Sequence, residues 1–590
     1  MATAGHVDHG KSTLIRALTG MEPDRWEQER RRGLTIDLGF AWTTLPSGRD
    51  VAFVDVPGHQ RFLANTLAGL GPAPVVCFVV AADEGWQAQS SDHRDAITAL
   101  GIRHGLIAVT RADRAPQRAA DVLAQARAEL APAGWDEVPG VVVSAVDGTG
   151  LDDLRAALDA LLARVPAPET DARLRLWVDR SFTIAGAGTV VTGTLSAGTI
   201  ARGDRLALSG EQRRDEVVVR ELQSRGEPYP ELGPVARVAL NLRGISRDAV
   251  GRGDALVTPN AWPSTGVLDV RRTTGGRWTE APERLVAHVG TAAVPARLRP
   301  FGIDHGRLTL DRRLPLVLGD RLVLRDPGTH RVLGGALVLD ADPPELRRRG
   351  EGARRAVTLG EMTAAGSVGI EVARRGAVRE SHLSRLGVPV DEVPAGVRVL
   401  AGWWVHEATH AAWRQQLADA VCTLHARDPL ANGLSRGAAR DLLALPDEAL
   451  LDAVVEEAGL EQRGGHIRML GGAGLGEAEA AVSEVEERLD AEPFRAPEAY
   501  ELQALALGGR ELAAAERAGR LLRLCDGLVL LPTAPALAMR ELSRLAQPFT
   551  ASQARRALGT TRRVAIPLLE HLDARGWTRR VDAGHREVVR

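Results

Sequence analysis

The sequence predicts a multidomain chain: an α/β domain first, then two antiparallel β-barrel domains, then winged helices in tandem. Three observations carry that expectation. Short apolar runs alternate with amphipathic stretches up to residue 168, and Gly-rich turns punctuate strand-like segments from there to about 342. The helix-rich remainder repeats a glycine-led strand pair at a period near 60 residues. A chain of 590 residues, at roughly 150 per domain, leaves room for about four domains, and smaller modules raise that number.

In the first region the apolar runs 52–56, 75–82, 106–110 and 141–144 are separated by helix-like segments, the rhythm of βαβ units and a parallel sheet. Pro166-Ala-Pro168 breaks it, so the first domain is expected over 1–168. Turns at Ala185-Gly-Ala-Gly-Thr189, Ser196-Ala-Gly198 and Arg202-Gly-Asp204 then divide strands of an antiparallel barrel over 169–258. A second all-β stretch fills 259–343. Beyond Pro343-Pro344 the strand pairs begin at Gly396, Gly459, Gly519 and Gly576, spaced by 63, 60 and 57 residues. Helices closed by a hairpin make a winged helix, so four are expected, over 344–405, 406–472, 473–533 and 534–590. An α-solenoid would not explain hairpins at that period.

With 44% hydrophobic and 25% charged residues and a net charge of -2, the composition excludes global disorder and a collagen-like fibre. No apolar run approaches the roughly 20 residues that span a bilayer, and the N-terminus enters a Gly-rich motif at once. Neither an anchor nor a signal peptide is expected, which points to the cytoplasm and no membrane partner. Cys77, Cys422 and Cys525 are odd in number and far apart, so neither a disulfide framework nor a zinc site is expected. Of the 74 basic residues all but Lys11 are arginine. Biased codon usage explains the arginines; the one lysine needs a reason of its own.

That reason is the string Gly5-His6-Val7-Asp8-His9-Gly10-Lys11-Ser12-Thr13, which fits G-x-x-x-x-G-K-[ST]. Its glycines let successive N–H groups converge on phosphates, the Lys11 ammonium reaches the terminal phosphates, and the Ser12 hydroxyl ligates Mg²⁺. A chance match anywhere in this composition is roughly one in a thousand. A planar guanidinium cannot replace a compact ammonium there without changing the geometry. Asp55-Val-Pro-Gly58-His59 follows an apolar strand, placing a carboxylate where it can hold an Mg²⁺-bound water and a glycine that lets the backbone turn to the γ-phosphate. His59 is placed to orient the attacking water. Arg32-Gly-Leu-Thr35, after the charged residues 27–32, has the character of a mobile segment that Thr35 fastens onto Mg²⁺ when the γ-phosphate is present. Thr110-Arg111-Ala-Asp113 occupies the place of a guanine-reading N-K-x-D motif, with Ser144-Ala145 as its companion. Asp113 can accept from guanine N1 and N2, which adenine cannot supply. Thr110 and Arg111 depart from the motif, and the Arg111 stem can still lie over the base. The first domain therefore reads as a P-loop GTPase domain binding GTP and GDP with Mg²⁺.

These motifs resemble the G domain of translational GTPases, and Thr183-Ile-Ala-Gly-Ala-Gly-Thr-Val-Val-Thr-Gly-Thr194 resembles the start of their β-barrel domain. A sharper resemblance is to the bacterial selenocysteine-specific elongation factors. It is carried by Thr35-Ile-Asp-Leu-Gly-Phe40-Ala, Leu322-Val-Leu-Arg-Asp-Pro327 and Leu558-Gly-Thr-Thr-Arg-Arg-Val-Ala-Ile-Pro-Leu-Leu-Glu570, and by the winged helices after a third domain. The resemblance covers nearly the whole chain, loosely from 344 to 540. It implies ribosome-stimulated GTP hydrolysis and delivery of selenocysteyl-tRNA to a ribosome at a recoded UGA codon, guided by an mRNA hairpin. A selenol is an anion at neutral pH, so a cationic pocket separates it from serine or protonated cysteine. The resemblance places Arg180 and Arg237 in that pocket, with Phe40 nearby. A monomer is expected.

From Glu541 onward ten arginines face five acidic residues, a net +5 in a chain of net -2, which is an electrostatic footprint for nucleic acid. Thr550 is expected to cap one helix and Thr560 or Thr561 the next. That sets Arg562 and Arg563 in a first turn, where cations oppose the helix dipole unless an anion lies there. With Arg555, Arg556 and, on the wing, Arg579 and Arg580, they form the expected RNA-binding set. Two other readings stay open on these grounds: a GTPase-switched winged-helix regulator that binds DNA, and another translational GTPase.

Overall fold

The computed structural model describes residues 1–23, 35–135, 137–166, 168–186, 188–211, 214–428, 430–470 and 475–589. The charged residues 27–32 lie outside the described residues. The chain divides into two compact units, 1–371 with 379–394, and 372–378 with 395–590.

The first unit opens with β1 (Ala2–Ala4), α1 (Lys11–Thr19), β2 (Gly39–Thr44), β3 (Asp50–Asp55), α2 (Leu63–Leu70), β4 (Val75–Ala81), α3 (Ala88–Leu100), β5 (His104–Thr110), α4 (Ala119–Leu130), β6 (Gly140–Val142) and α5 (Leu151–Arg164). The sheet order is β2-β3-β1-β4-β5-β6, parallel except for the β2–β3 pair. Strand β4 is buried along its whole length, as a central parallel strand covered on both faces must be. Alternation then divides its side chains: Val76, Phe78 and Val80 enter the core on one face, Val75, Cys77 and Val79 that on the other. The C-terminal ends of β1, β3 and β5 carry Gly5, Asp55 and Thr110 to one edge, the usual ligand edge of such a sheet.

A seven-stranded antiparallel sheet between Arg175 and Val257 curls until Arg205–Ser209 pairs with Arg214–Ser224. A six-stranded closed barrel spans Thr265 to Asp340. Helix α3 packs on this barrel so closely that a Cβ on Gly335 would lie 2.8 Å from Ala99 Cα. The helix Glu351–Glu361 is fixed to the same barrel by Arg355, whose Nε donates to Asp269 (2.7 Å) and Nη2 to Asp340 (2.5 Å). All three residues are buried, and removing one partner of such a group costs about 3–5 kcal/mol. That helix accordingly belongs to the first unit, so the division between units falls within the segment 344–405.

In the second unit, helices alternate with hairpins at Val397–Leu400/Trp403–His406, Leu460–Arg463/His466–Met469, Leu522–Cys525/Leu528–Leu530 and Thr578–Arg580/His585–Val588. Three helices precede each of the last three hairpins, the architecture of tandem winged helices. The last two modules share one continuous core, from Val482 and Leu528 to Phe549, Val564 and Leu572.

Candidate functional site

Gly10, left-handed at φ 82°, ends the phosphate loop and caps α1. The loop is drawn against the sheet: a Cβ on Gly5 would come within 2.1 Å of the Val79 carbonyl oxygen. Two side chains outside the motif hold it there. Gly5 N–H donates to His93 Nδ1 (3.0 Å) and Val7 N–H to Gln89 Oε1 (3.2 Å). Gln89 and His93 are four residues apart on α3 and therefore share a face. Burial pushes His93 down to about 3, keeping its ring neutral and able to accept. His9, also buried, is pushed down to about 4.

Lys11 is buried, and burial pushes its ammonium down to about 8 against the opposing pull of Asp55 and Asp8. It donates to the carbonyls of Gly5 (3.0 Å) and His6 (2.7 Å). At the foot of the loop three hard oxygen donors converge. Ser12 Oγ donates to Asp55 Oδ2 (2.6 Å) and lies 3.1 Å from Thr35 Oγ1. Thr3 Oγ donates to the other Asp55 oxygen (2.8 Å) and accepts from Val56 N–H, so β1 fixes the carboxylate that β3 presents.

At the other end, Ser144 Oγ donates to Asp113 Oδ1 (2.8 Å). Thr110 Oγ donates to the His9 carbonyl (2.6 Å), tying the base-reading strand to the phosphate loop. Arg111, left-handed at φ 54°, is held by Asp83 and Glu84 and also donates to the Asp8 carbonyl. A cleft of about 600 Å³ runs between the two ends. Val7, Asp8, Gly10, Lys11, Ser12, Thr13, Thr35, Gly58, Thr110, Arg111, Asp113 and Ala145 line it, with Arg16, Glu22, Arg114 and Val146, which the motifs did not single out. Gly5, His6, His9, Asp55, Ser144 and His59 stand behind or beside that lining. His59 is exposed; its Nδ1 accepts from Arg61 N–H (3.1 Å) and its ring centroid is 6.1 Å from that of Phe62.

A second cavity, of about 390 Å³, brings Phe40, Arg180 and Arg237 together. Both guanidinium groups lie over the Phe40 ring, at 5.0 and 3.4 Å from its centroid, a cation–π arrangement. Arg237 also donates to Asp179 (2.9 Å) and Thr192 (3.2 Å).

In the last module, Thr550 caps the helix Ala551–Ala557 and Thr561 precedes the helix Arg562–Ala574. Arg562 and Arg556 are exposed, and Arg555 is half-buried. Arg563 differs from the expectation of an anion supplied from outside. Its guanidinium pairs with Glu498 and donates to the Pro497 carbonyl (2.6 Å), so the preceding module supplies the anion. On the wing Arg579 pairs with Glu587 and Arg580 with Glu570 (3.3 Å).

Fold and cleft together define a GTPase of the elongation factor Tu type, and the model of the elongation factor Tu GTP binding domain matches residues 1–164. The β-barrel domain of selenocysteine-specific elongation factors matches 281–345, and the winged helix of elongation factor SelB matches 540–586. The selenocysteine-specific elongation factor of Escherichia coli (strain K12) is 33% identical over 99% of this chain and 98% of its own length. The chain belongs to the selenocysteine-specific elongation factors, and it hydrolyses GTP. Elongation factor Tu 2 of Streptomyces avermitilis is 33% identical over 57% of this chain and 95% of its own. The crystal structure of a bacterial selenocysteine-specific elongation factor superposes with a TM-score of 0.77 at 26% identity, covering 100% of this chain and 99% of that one. A DNA-binding regulator and a general translation factor are disfavoured, since the likeness to this family extends through the C-terminal modules.

Proposed function

We propose that the GTP form of this chain carries selenocysteyl-tRNA to ribosomes at recoded UGA codons, while its last winged helix holds an mRNA hairpin. The observation that carries the reading is the pairing of Arg180 and Arg237 over Phe40 in a cavity distinct from the nucleotide cleft. Stacking on one aromatic ring gathers two cations at one cavity, which favours an anionic side chain, and among the seryl, cysteinyl and selenocysteyl esters the one whose side chain is an anion at neutral pH is the selenocysteyl one.

The hard oxygens of Ser12, Thr35 and Asp55 fit Mg²⁺, which prefers such donors and keeps part of its water. That ion, when bound, neutralises charge on the β- and γ-phosphates. Lys11 exchanges its two carbonyl partners for the terminal phosphates, and Asp113, held by Ser144, reads guanine. His59, exposed beside Gly58, orients the attacking water. Arg555, Arg556 and Arg562 grip the hairpin's phosphates, and unpaired bases supply sequence choice, because an RNA duplex has a major groove too narrow to read. The reading also implies a cytoplasmic monomer. Its test is translation of an in-frame UGA followed by a hairpin. Adding the full chain should give selenocysteine insertion that is lost when the hairpin is deleted; insertion independent of the hairpin contradicts the role given to the last module.

A further inference from the structure

The nucleotide cleft and the aminoacyl cavity are separate, yet a short chain of polar contacts joins them. Thr35 Oγ1 lies 3.1 Å from Ser12 Oγ, where it would join Ser12 and Asp55 in holding Mg²⁺ beside the γ-phosphate. Two residues further on, Asp37 shares its carboxylate between two guanidinium groups of the second domain: Oδ1 accepts from Arg252 at 2.6 Å and Oδ2 from Arg180 at 3.4 Å. Arg180 also donates to the Leu38 carbonyl. Arg252 extends the chain in two directions. Its Nε donates to the backbone carbonyl of Asp179 (2.9 Å), whose carboxylate accepts from Arg237 (2.9 Å). Its Nη1 donates to Asn65 Oδ1 (2.9 Å), and Asn65 Nδ2 donates to the Ile36 carbonyl (2.8 Å). Asn65 lies on α2, the helix that follows Asp55–His59. The Thr35 segment and the helix after Asp55–His59 therefore meet at Arg252, and Arg180 and Arg237 lie one and three contacts from Asp37.

We propose that Asp37 and Arg252 are positioning residues for aminoacyl recognition: they set Arg180 and Arg237 over Phe40 only while the γ-phosphate holds the Thr35 segment in place. Neither lines the nucleotide cleft or the aminoacyl cavity. Their effect is a coupling between two sites, and such couplings are typically worth about 5- to 150-fold in affinity. Moving Thr35 away withdraws a carboxylate and a carbonyl from Arg180 and one anchor from Arg252, and both guanidinium groups then relax together. The inference rests on the aminoacyl reading of the cavity proposed above.

The test measures the dissociation constant of selenocysteyl-tRNA for the full chain with a non-hydrolysable GTP analogue and with GDP, in wild type, Asp37→Asn, Arg252→Gln and the double variant. The expected result is that each single variant shrinks the GDP-to-GTP ratio by about fivefold or more. The double variant should shrink it no further, because both act through one joint. Nucleotide affinity and the unfolding temperature should stay close to wild type. Equal weakening in both nucleotide states, an unchanged ratio, or additive effects would each overturn the coupling. A wild type that binds seryl- and selenocysteyl-tRNA alike would overturn the aminoacyl reading first, and the coupling with it. Should Asp37→Asn not fold, Arg252→Gln alone decides, since its ratio either falls or does not.

Discussion

Replacing Gly58 by alanine separates the recognition of GTP from that of GDP. An alanine Cβ would lie 2.5 Å from Lys11 Nζ, 2.5 Å from Val7 N and 2.7 Å from Val7 Cα. The ammonium is the end of a flexible chain and can move, but Val7 is backbone, held by Gln89. Restoring an ordinary contact of 3.4 Å or more requires the Gly58 segment to retreat by about 1 Å. A hydrogen bond from Gly58 N–H to the γ-phosphate, about 2.9 Å long, would stretch to about 3.9 Å and be lost. Hydrogen bonds to charged groups are worth about 1.5–3 kcal/mol, so GTP should bind roughly 10- to 150-fold more weakly. GDP, lacking the γ-phosphate, should bind within about threefold of wild type. Titration with fluorescent GTP and GDP analogues measures both. An unchanged GTP-to-GDP ratio would refute the reasoning.

Lys11→Ala should abolish nucleotide binding, whereas His59→Ala should leave it intact and cut ribosome-stimulated hydrolysis by roughly a hundredfold, read by phosphate release with and without ribosomes. Arg562→Ala should weaken binding of an RNA hairpin and lower the slope of log affinity against log salt by about one. Arg563→Ala should chiefly lower the melting temperature, because its partners are Glu498 and Pro497 rather than phosphate. His93 is held at about 3 against 6.5 in the unfolded chain, so the unfolded chain binds more protons between those values. Stability should then rise with pH across that window and be lost as pH falls below about 6.5. His93→Gln, which keeps an acceptor for Gly5 N–H, should lose roughly 1–2 kcal/mol less than wild type between pH 6.5 and 5 in urea unfolding.

The α/β rhythm, the barrels and the winged helices were legible because each leaves a local signature in the chain: apolar runs of fixed length, glycine turns, and a repeat near 60 residues. The nucleotide residues were legible because phosphate binding confines several functions to one short string. Thr3, Gln89 and His93 were not, since each acts singly from another element and carries no motif. The spacing of Gln89 and His93 just after the fourth strand was the available signal. Thr110 showed only as a departure; that its hydroxyl reaches the His9 carbonyl depends on how two loops approach. Helix-dipole reasoning demanded an anion near Arg563 but sees only one helix, and Glu498 lies 65 residues away in the chain. Asp37 was within reach, two residues beyond Thr35, but its partners belong to another domain.

The central claim is selection of one aminoacyl ester by charge in a GTP-dependent state. Deacylation of selenocysteyl-tRNA and of seryl-tRNA of the same sequence, followed with the full chain in the presence of GTP or GDP, tests it most directly. The account predicts that only the selenocysteyl ester with GTP is protected, and that Arg180→Ala or Arg237→Ala erodes this preference more than it weakens binding of the tRNA body. Equal protection of both esters by the wild type, or protection indifferent to the nucleotide, would contradict it.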